Sequence, residues 1–207
     1  MADRKTIVKE GLSTLTNVNN QFNEGKSNTG KTDIFCINMQ CLRNKLLELE
    51  IYLLDLQYKI VCITEHWLKS NEIQFFIPKG YMLASHFCRT QYKNGGTSIY
   101  VKEDLEFIEI DMEPFCIEYN IEVVAISIPS LAITVLSIYR TPAGDVELFF
   151  LKLEELLLYF YKSKYRIVIA GDFNIDILKV NSDCNKIFNI LRSCGYYCTN
   201  FKPTRQN

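Results

Sequence analysis

The chain contains no Cys-x-x-Cys pair, no apolar run long enough to cross a bilayer, two histidines, one tryptophan and almost no net charge. Each scarcity removes a class of function. The eight cysteines stand singly, Cys36 and Cys62 inside apolar runs, without the paired spacing of a zinc site. The amino end, MADRKTIVKE, lacks the apolar core of a secretory signal. The thiols are therefore expected to be reduced, in an intracellular protein of the nucleus or cytoplasm with no disulfide-linked partner. No segment approaches the roughly 20 apolar residues of a membrane helix, which argues against a membrane. Lys and Arg number 23 against 24 Asp and Glu, a net charge of −1, so bulk attraction to a polyanion is missing. A locally basic groove, or divalent cations held by carboxylates, stays open as a way to meet phosphate. Neither His66 nor His86 has Ser or Asp around it in a triad-like context, and both read as surface or core histidines.

What is present is the material of a core. In 207 residues, 48% are hydrophobic and 13% aromatic, which suits one packed domain. Residues 1 to 31, rich in Asn, Thr, Ser, Gly and charge with no sustained apolar period, are expected to form a disordered leader, and 32 to 207 the domain. IFCIN (34 to 38) reads as a buried strand, and Leu42, Leu46, Leu49, Leu53 and Leu56 then fall on one face of a helix. KIVCIT (59 to 64) is a second buried strand. The turn Asn94-Gly95-Gly96 lies between two more, the second being TSIYV (97 to 101). FIEI, IEVVAISI and AITVLSIY continue the strands, with Pro129-Ser130 as a break. A helix over about 145 to 162 is capped by Asp145. RIVIA follows as a strand, and a last helix begins at Ser182 or Asp183 and stops near Gly195. This order predicts an α/β (α+β) architecture, a mixed sheet or a pair of sheets with helices outside.

Four strands finish on polar groups. RIVIA runs into Gly171-Asp172-Phe173-Asn174, which sets a carboxylate and an amide two residues apart and on one side of an extended chain, with a glycine that permits a turn or a close approach. The hard oxygens suit a magnesium-bound phosphate or an attacking water; an Asx turn leaving a strand has the same sequence. VCIT delivers Glu65, ITVLSIY ends at Tyr139-Arg140-Thr141-Pro142, and the first strand ends at Asn38-Met39-Gln40. Ends of strands are where α/β sheets build sites. A tyrosine there is more often half-buried packing, and Trp67 reads as a core anchor before a base-stacking platform.

Taken in order, Asn38-Met39-Gln40 with Leu42-Arg43, Thr64-Glu65-His66-Trp67, Asn94-Gly95-Gly96, Tyr139-Arg140-Thr141-Pro142 and Gly171-Asp172-Phe173-Asn174 resemble the endonuclease/exonuclease/phosphatase superfamily. They are most similar to the apurinic-type endonuclease domain of non-LTR retrotransposons. The resemblance, over about 33 to 207, implies a two-sheet β-sandwich flanked by helices that hydrolyses phosphodiesters in DNA with Mg2+ or Mn2+. Glu65 is then the metal-binding carboxylate with Asn38 and Gln40 beside it, although many relatives carry an acid where Gln40 stands. Tyr139 bonds the scissile phosphate, Asp172 orients or deprotonates water, and Asn174 holds a phosphate oxygen. Arg140 and Asn94 contact nucleic acid. The rivals are a phosphatase or phosphodiesterase for a smaller substrate and a non-catalytic binding module of the same fold; a reverse transcriptase further along the reading frame would favour the nicking enzyme. Relatives follow Pro-Thr-Arg with a strand bearing an aspartate and then an Asp-His pair, whereas this sequence ends Pro203-Thr204-Arg205-Gln206-Asn207. The last strands are accordingly expected to be missing and cleavage to be weak.

Overall fold

A computed structural model describes residues 13–17, 34–56, 58–177, 179 and 181–198. Its strands are β1 (Ser13–Asn17), β2 (Ile34–Asn38), β3 (Ile60–Thr64), β4 (Tyr81–Phe87), β5 (Thr97–Lys102), β6 (Ile108–Ile110), β7 (Glu122–Ile128), β8 (Ile133–Tyr139), β9 (Arg166–Asp172) and β10 (Tyr196–Cys198). The helices are α1 (Leu46–Leu56), α2 (Val146–Phe160) and α3 (Ser182–Ser193). One sheet runs β10-β1-β9-β8-β7-β6 and the other β2-β3-β5-β4. They pack face to face as the expected α/β sandwich with helices outside.

Three apolar layers follow from the alternation of the strands. Cys36, Cys62, Ile99 and Val101 of the smaller sheet meet Val124, Ile126, Val135 and Val168 of the larger between the sheets. The opposite face of the larger sheet receives Phe149, Phe150, Leu153 and Leu157 of α2 with Ile187 and Leu191 of α3. Leu49 and Leu53 of α1 cover Phe35, Ile37, Val61 and Ile63 on the smaller one. Strands β3, β7 and β8 are buried at every position, as strands covered on both faces must be, which explains why their sequences are nearly continuous apolar runs. Each fully buried Leu or Ile contributes about 1.5–3 kcal/mol, so emptying any of these layers unfolds the domain.

Two parallel pairs decide where the chemistry goes. A parallel pair needs a long crossover, and α1 joins β2 to β3 as α2 joins β8 to β9. Parallel strands finish at the same edge: Asn38 lies opposite Thr64, the residue before Glu65, and Tyr139 lies opposite Asp172. Gly171 makes the second pairing possible, because its φ is +147° and a Cβ there would come within 1.8 Å of the Ile138 carbonyl oxygen. The glycine serves a close approach of backbone to backbone.

The elements depart from the sequence reading in three places. Ser13–Asn17, inside the expected leader, forms β1 between β9 and β10; the rest of residues 1 to 31 lies outside the described residues. Leu42 is buried with the helical stripe but sits in a 3-10 turn, since Cys41 N–H and Leu42 N–H bond the Glu65 and His66 carbonyls and hold the chain out of α geometry. Asn181, not Ser182 or Asp183, caps α3, its side chain accepting from Cys184 N–H at 2.8 Å. Asp145 caps α2 as expected, accepting from the Glu147 and Leu148 N–H groups. Among the described residues no helix is long and apolar enough to cross a membrane.

Candidate active site at the strand ends

Asn38 joins the two sheets. Its Nδ2 donates to Glu65 Oε1 at 2.7 Å and to Asp172 Oδ2 at 2.9 Å, and the residue is 5% exposed. Strand β2 supplies the amide, the exit of β3 one carboxylate and the end of β9 the other. The second oxygen of Glu65 accepts from the Trp67 indole Nε1 at 3.2 Å. The Tyr139 hydroxyl donates to the same carboxylate, and burial together with the Glu65 charge pushes its pKa well above 10, so it stays a protonated donor. Asn38, Glu65, Tyr139 and Asp172, four of the residues expected at the site, thus share one connected group of side chains.

Asn174 is tied in behind them. Its backbone N–H donates to Asp172 Oδ1 at 2.9 Å and its Nδ2 to the Arg140 carbonyl at 2.6 Å. Arg140 returns the contact: Nε reaches the Phe173 carbonyl at 2.6 Å, and the two terminal nitrogens reach the Asn174 carbonyl at 2.7 Å and the Thr141 carbonyl at 3.2 Å. At 6% exposure, with its guanidinium bonded to backbone carbonyls, Arg140 is a clamp that shapes the loop after Asp172. Gln40 and Asn94 are exposed, in left-handed backbone at φ +45° and +64°, and the structure gives neither a bond to the Asn38 group. Glu65, Trp67 and Asn174 share that conformation at φ +54°, +59° and +49°. Such residues cost about 1–3 kcal/mol each and persist only where their surroundings over-determine them.

His66 is the pin. Its buried ring accepts from Leu68 N–H through Nδ1 at 2.9 Å and reaches the Phe87 carbonyl through Nε2 at 3.0 Å. The ring rests on Gly96, where a Cβ would lie 2.3 Å away. It is a core histidine, and it holds the turn between Glu65 and Trp67. Trp67 itself is half buried at the site rather than anchored in the core, which the sequence reading missed.

Behind Tyr139 lies a second buried group that sequence reasoning did not single out. Arg89 and Glu122 form an ion pair with Nε to Oε1 at 2.5 Å, their side chains 4% and 1% exposed. Gly96 N–H donates to Glu122 Oε2 at 2.6 Å and Arg89 also donates to the Thr141 hydroxyl at 2.5 Å. The Arg89 guanidinium lies over the Tyr139 ring at 5.8 Å. A signal for Glu122 existed, a lone acid at the head of the apolar run EVVAISI, whereas Arg89 in its polar loop offered none.

The donor set has a definite character. Among the described residues no three His, Cys, Asp or Glu side chains gather as a metal cage, which is unlike a zinc site. Two carboxylates with an amide are hard oxygen donors of the kind that Mg2+ or Mn2+ takes while keeping several waters. The Asn38 Oδ1 atom is buried and has no hydrogen-bond partner. A buried acceptor without a donor costs about 1–3 kcal/mol, so an electropositive neighbour at Oδ1 relieves a real cost. The residues present therefore fit a divalent cation.

The Endonuclease/Exonuclease/phosphatase family pattern matches residues 22–185. The chain belongs to that family, whose members are metal-dependent phosphodiesterases, nucleases and phosphatases. Solved structures agree on the fold. The endonuclease domain of TRAS1, a telomere-specific non-LTR retrotransposon, superposes with a TM-score of 0.63 at 17% identity over 84% of this chain and 75% of that one. An AP endonuclease from Archaeoglobus fulgidus gives 0.58 at 18% identity over 79% and 71%. The 3′ phosphatase NExo from Neisseria, bound to a product DNA hairpin, gives 0.58 at 18% over 78% and 71%. No curated protein sequence matches the chain.

Proposed function

We propose that the chain is a metal-dependent DNA-nicking endonuclease domain of a retrotransposon-derived protein. The observation that supports it best is the bridging of Glu65 and Asp172 by the buried Asn38, with the Asn38 oxygen left unpartnered. Phosphodiester hydrolysis needs positive charge where the phosphate oxygens gain negative charge, and a base for the attacking water. A divalent ion bound by Glu65 and Asn38, with exposed Gln40 nearby, supplies that charge. Tyr139 keeps its proton and donates toward the phosphate. Asp172, fixed by two hydrogen bonds from Asn38 and Asn174, orients the water and takes its proton. Asn174 holds a phosphate oxygen, and exposed Asn94 meets the DNA.

The test is conversion of supercoiled plasmid to the open circle by the purified protein with Mg2+ or Mn2+. Nicking that disappears with chelator, with Glu65→Gln and with Asp172→Ala supports the reading, and its rate also measures the expected weakness of cleavage. Metal-dependent release of phosphate from small monoesters without nicking would favour the phosphatase reading. Inertness of the wild-type chain on both substrates would favour a binding module.

A further inference from the structure

A chain of stacked groups leads from the site to the surface. Arg89 lies over the Tyr139 ring and also over the Tyr119 ring, the latter at 5.4 Å. Tyr119 stacks on Tyr92 with ring centroids 4.7 Å apart and planes 25° from parallel. Tyr92 is 50% exposed, so the stack ends on an aromatic surface open to solvent. Neither Tyr92 nor Tyr119 belongs to any of the three apolar layers, so the pair has no core to complete.

The pair is built, not incidental. Glu118 accepts from the backbone N–H groups of Thr90 at 3.1 Å, Gln91 at 2.8 Å and Tyr92 at 2.6 Å, and from the Thr90 hydroxyl at 3.1 Å. Those four bonds fix the turn that carries Tyr92 and direct the carboxylate into the turn. Tyr119 is held in left-handed backbone at φ +73°, a conformation that a bulky residue rarely adopts. Arg89 is anchored by Glu122, Thr141 and the Lys93 carbonyl. Two rigid aromatic rings are therefore presented at the rim, with exposed Lys93 in the same loop to offset acidic neighbours.

We propose that Tyr92 and Tyr119 form a shelf on which a nucleobase of the DNA substrate stacks, at a distance from the scissile phosphate set by the Arg89 bridge to Tyr139. This rests on the DNA reading above. A shelf of this kind favours DNA over a small phosphomonoester and is tolerant of sequence, because every base offers a π face. It also predicts a bound strand with that base tilted out of regular stacking, since the ring must slide onto the face of Tyr92.

The experiment is equilibrium binding of a fluorescently labelled DNA duplex with a single-stranded overhang, in Ca2+ to suppress cleavage, across a series of salt concentrations. Tyr92→Ala should weaken binding about tenfold while leaving the slope of log Kd against log salt unchanged, because stacking releases no counterions. Tyr92→Phe should bind within about twofold of wild type. A Tyr92→Ala protein that binds as wild type overturns the shelf. So does a Tyr92→Phe protein as weak as Tyr92→Ala, which would assign the effect to the hydroxyl, or a shallower salt slope, which would assign it to phosphate. A wild-type protein that binds no DNA overturns the DNA reading itself and the shelf with it, whereas the first three outcomes leave that reading standing.

Discussion

The indole N–H of Trp67 donates to Glu65 Oε2 at 3.2 Å, while Asn38 holds Glu65 Oε1 at 2.7 Å. Both oxygens of one carboxylate are thus aimed by neighbours, and a carboxylate so aimed loses little freedom when it binds a cation. Replacing Trp67 with Phe keeps an aromatic ring at this half-buried position and removes the N–H together with the pyrrole part of the indole. Discounted for partial exposure, the lost bond amounts to about 1 kcal/mol, or roughly a fivefold rise in the dissociation constant for Mg2+. Turnover at saturating Mg2+ should stay close to wild type. Calorimetric titration reads the affinity directly, and the emission of this sole tryptophan gives a second readout in the wild-type protein. Superimposable isotherms for the two proteins would reduce the indole to a packing role.

Asn38 acts as a neutral spacer between two acids, and its substitution by Asp converts a donor to both carboxylates into a third negative charge. With 5% exposure at this position, water screens the new repulsion poorly, and a loss of about 2–4 kcal/mol of stability is expected at neutral pH. Divalent cations should restore much of it, since three acids around one point form a stronger cation site than two. Urea unfolding of Asn38→Asp with EDTA and with millimolar Mg2+ tests both halves. An Asn38→Asp protein indifferent to Mg2+ would mean that no cation sits between the strand ends.

The ends of the strands were legible because the polarity of the sequence changes there. IVCIT and ITVLSIY are buried throughout and RIVIA from its second residue, and Glu65, Tyr139 and Asp172 stand at or just past the ends of those strands. Helix α2 was legible to within two residues, since Asp145 caps it and the apolar period is sustained. What stayed hidden depends on direction. Nothing in the string Tyr-Arg-Thr-Pro says that Arg140 turns inward to the Phe173 and Asn174 carbonyls, because that choice is made by a loop 33 and 34 residues away. Strand β1 was hidden for another reason: Ser13–Asn17 has no apolar alternation and takes strand form by pairing with β9 and β10. The Arg89–Glu122 pair needed a loop and the first residue of β7, 33 residues apart, brought together by the sandwich.

His66 gives the fold a dependence on pH. Burial pulls its pKa from 6.5 down to about 4; the Phe87 and Thr97 backbone contacts oppose this, and His86 and Arg43 add to it. The unfolded chain therefore holds more protons than the folded one between those values, and stability falls as pH falls through that window. The full contribution, roughly 3 kcal/mol, is present above pH 6.5 and is lost on approaching pH 4. His66→Gln, which offers an acceptor and a donor without a titrating charge, should be less stable at pH 7 yet flatter in its profile. Urea midpoints at pH 7, 5.5 and 4.5 measure both. Parallel profiles for the two proteins would transfer the acid sensitivity to the carboxylates.

Arg89 and Glu122 make the last case, because they are costly to separate and dispensable together. Burial raises the Glu122 pKa while Arg89 opposes it, so the carboxylate depends on its partner to stay charged. With side chains 4% and 1% exposed, Arg89→Met leaves a buried charge unpaired and should cost about 3–5 kcal/mol. The double variant Arg89→Met with Glu122→Gln removes both charges, keeps an acceptor for the Gly96 N–H, and should recover more than half of that loss. The recovered protein also separates folding from function. Its Tyr139 ring no longer lies under a guanidinium, so nicking should stay impaired after stability returns, by about tenfold if Arg89 positions that hydroxyl. A double variant that regains stability and full nicking together would confine the ion pair to the fold.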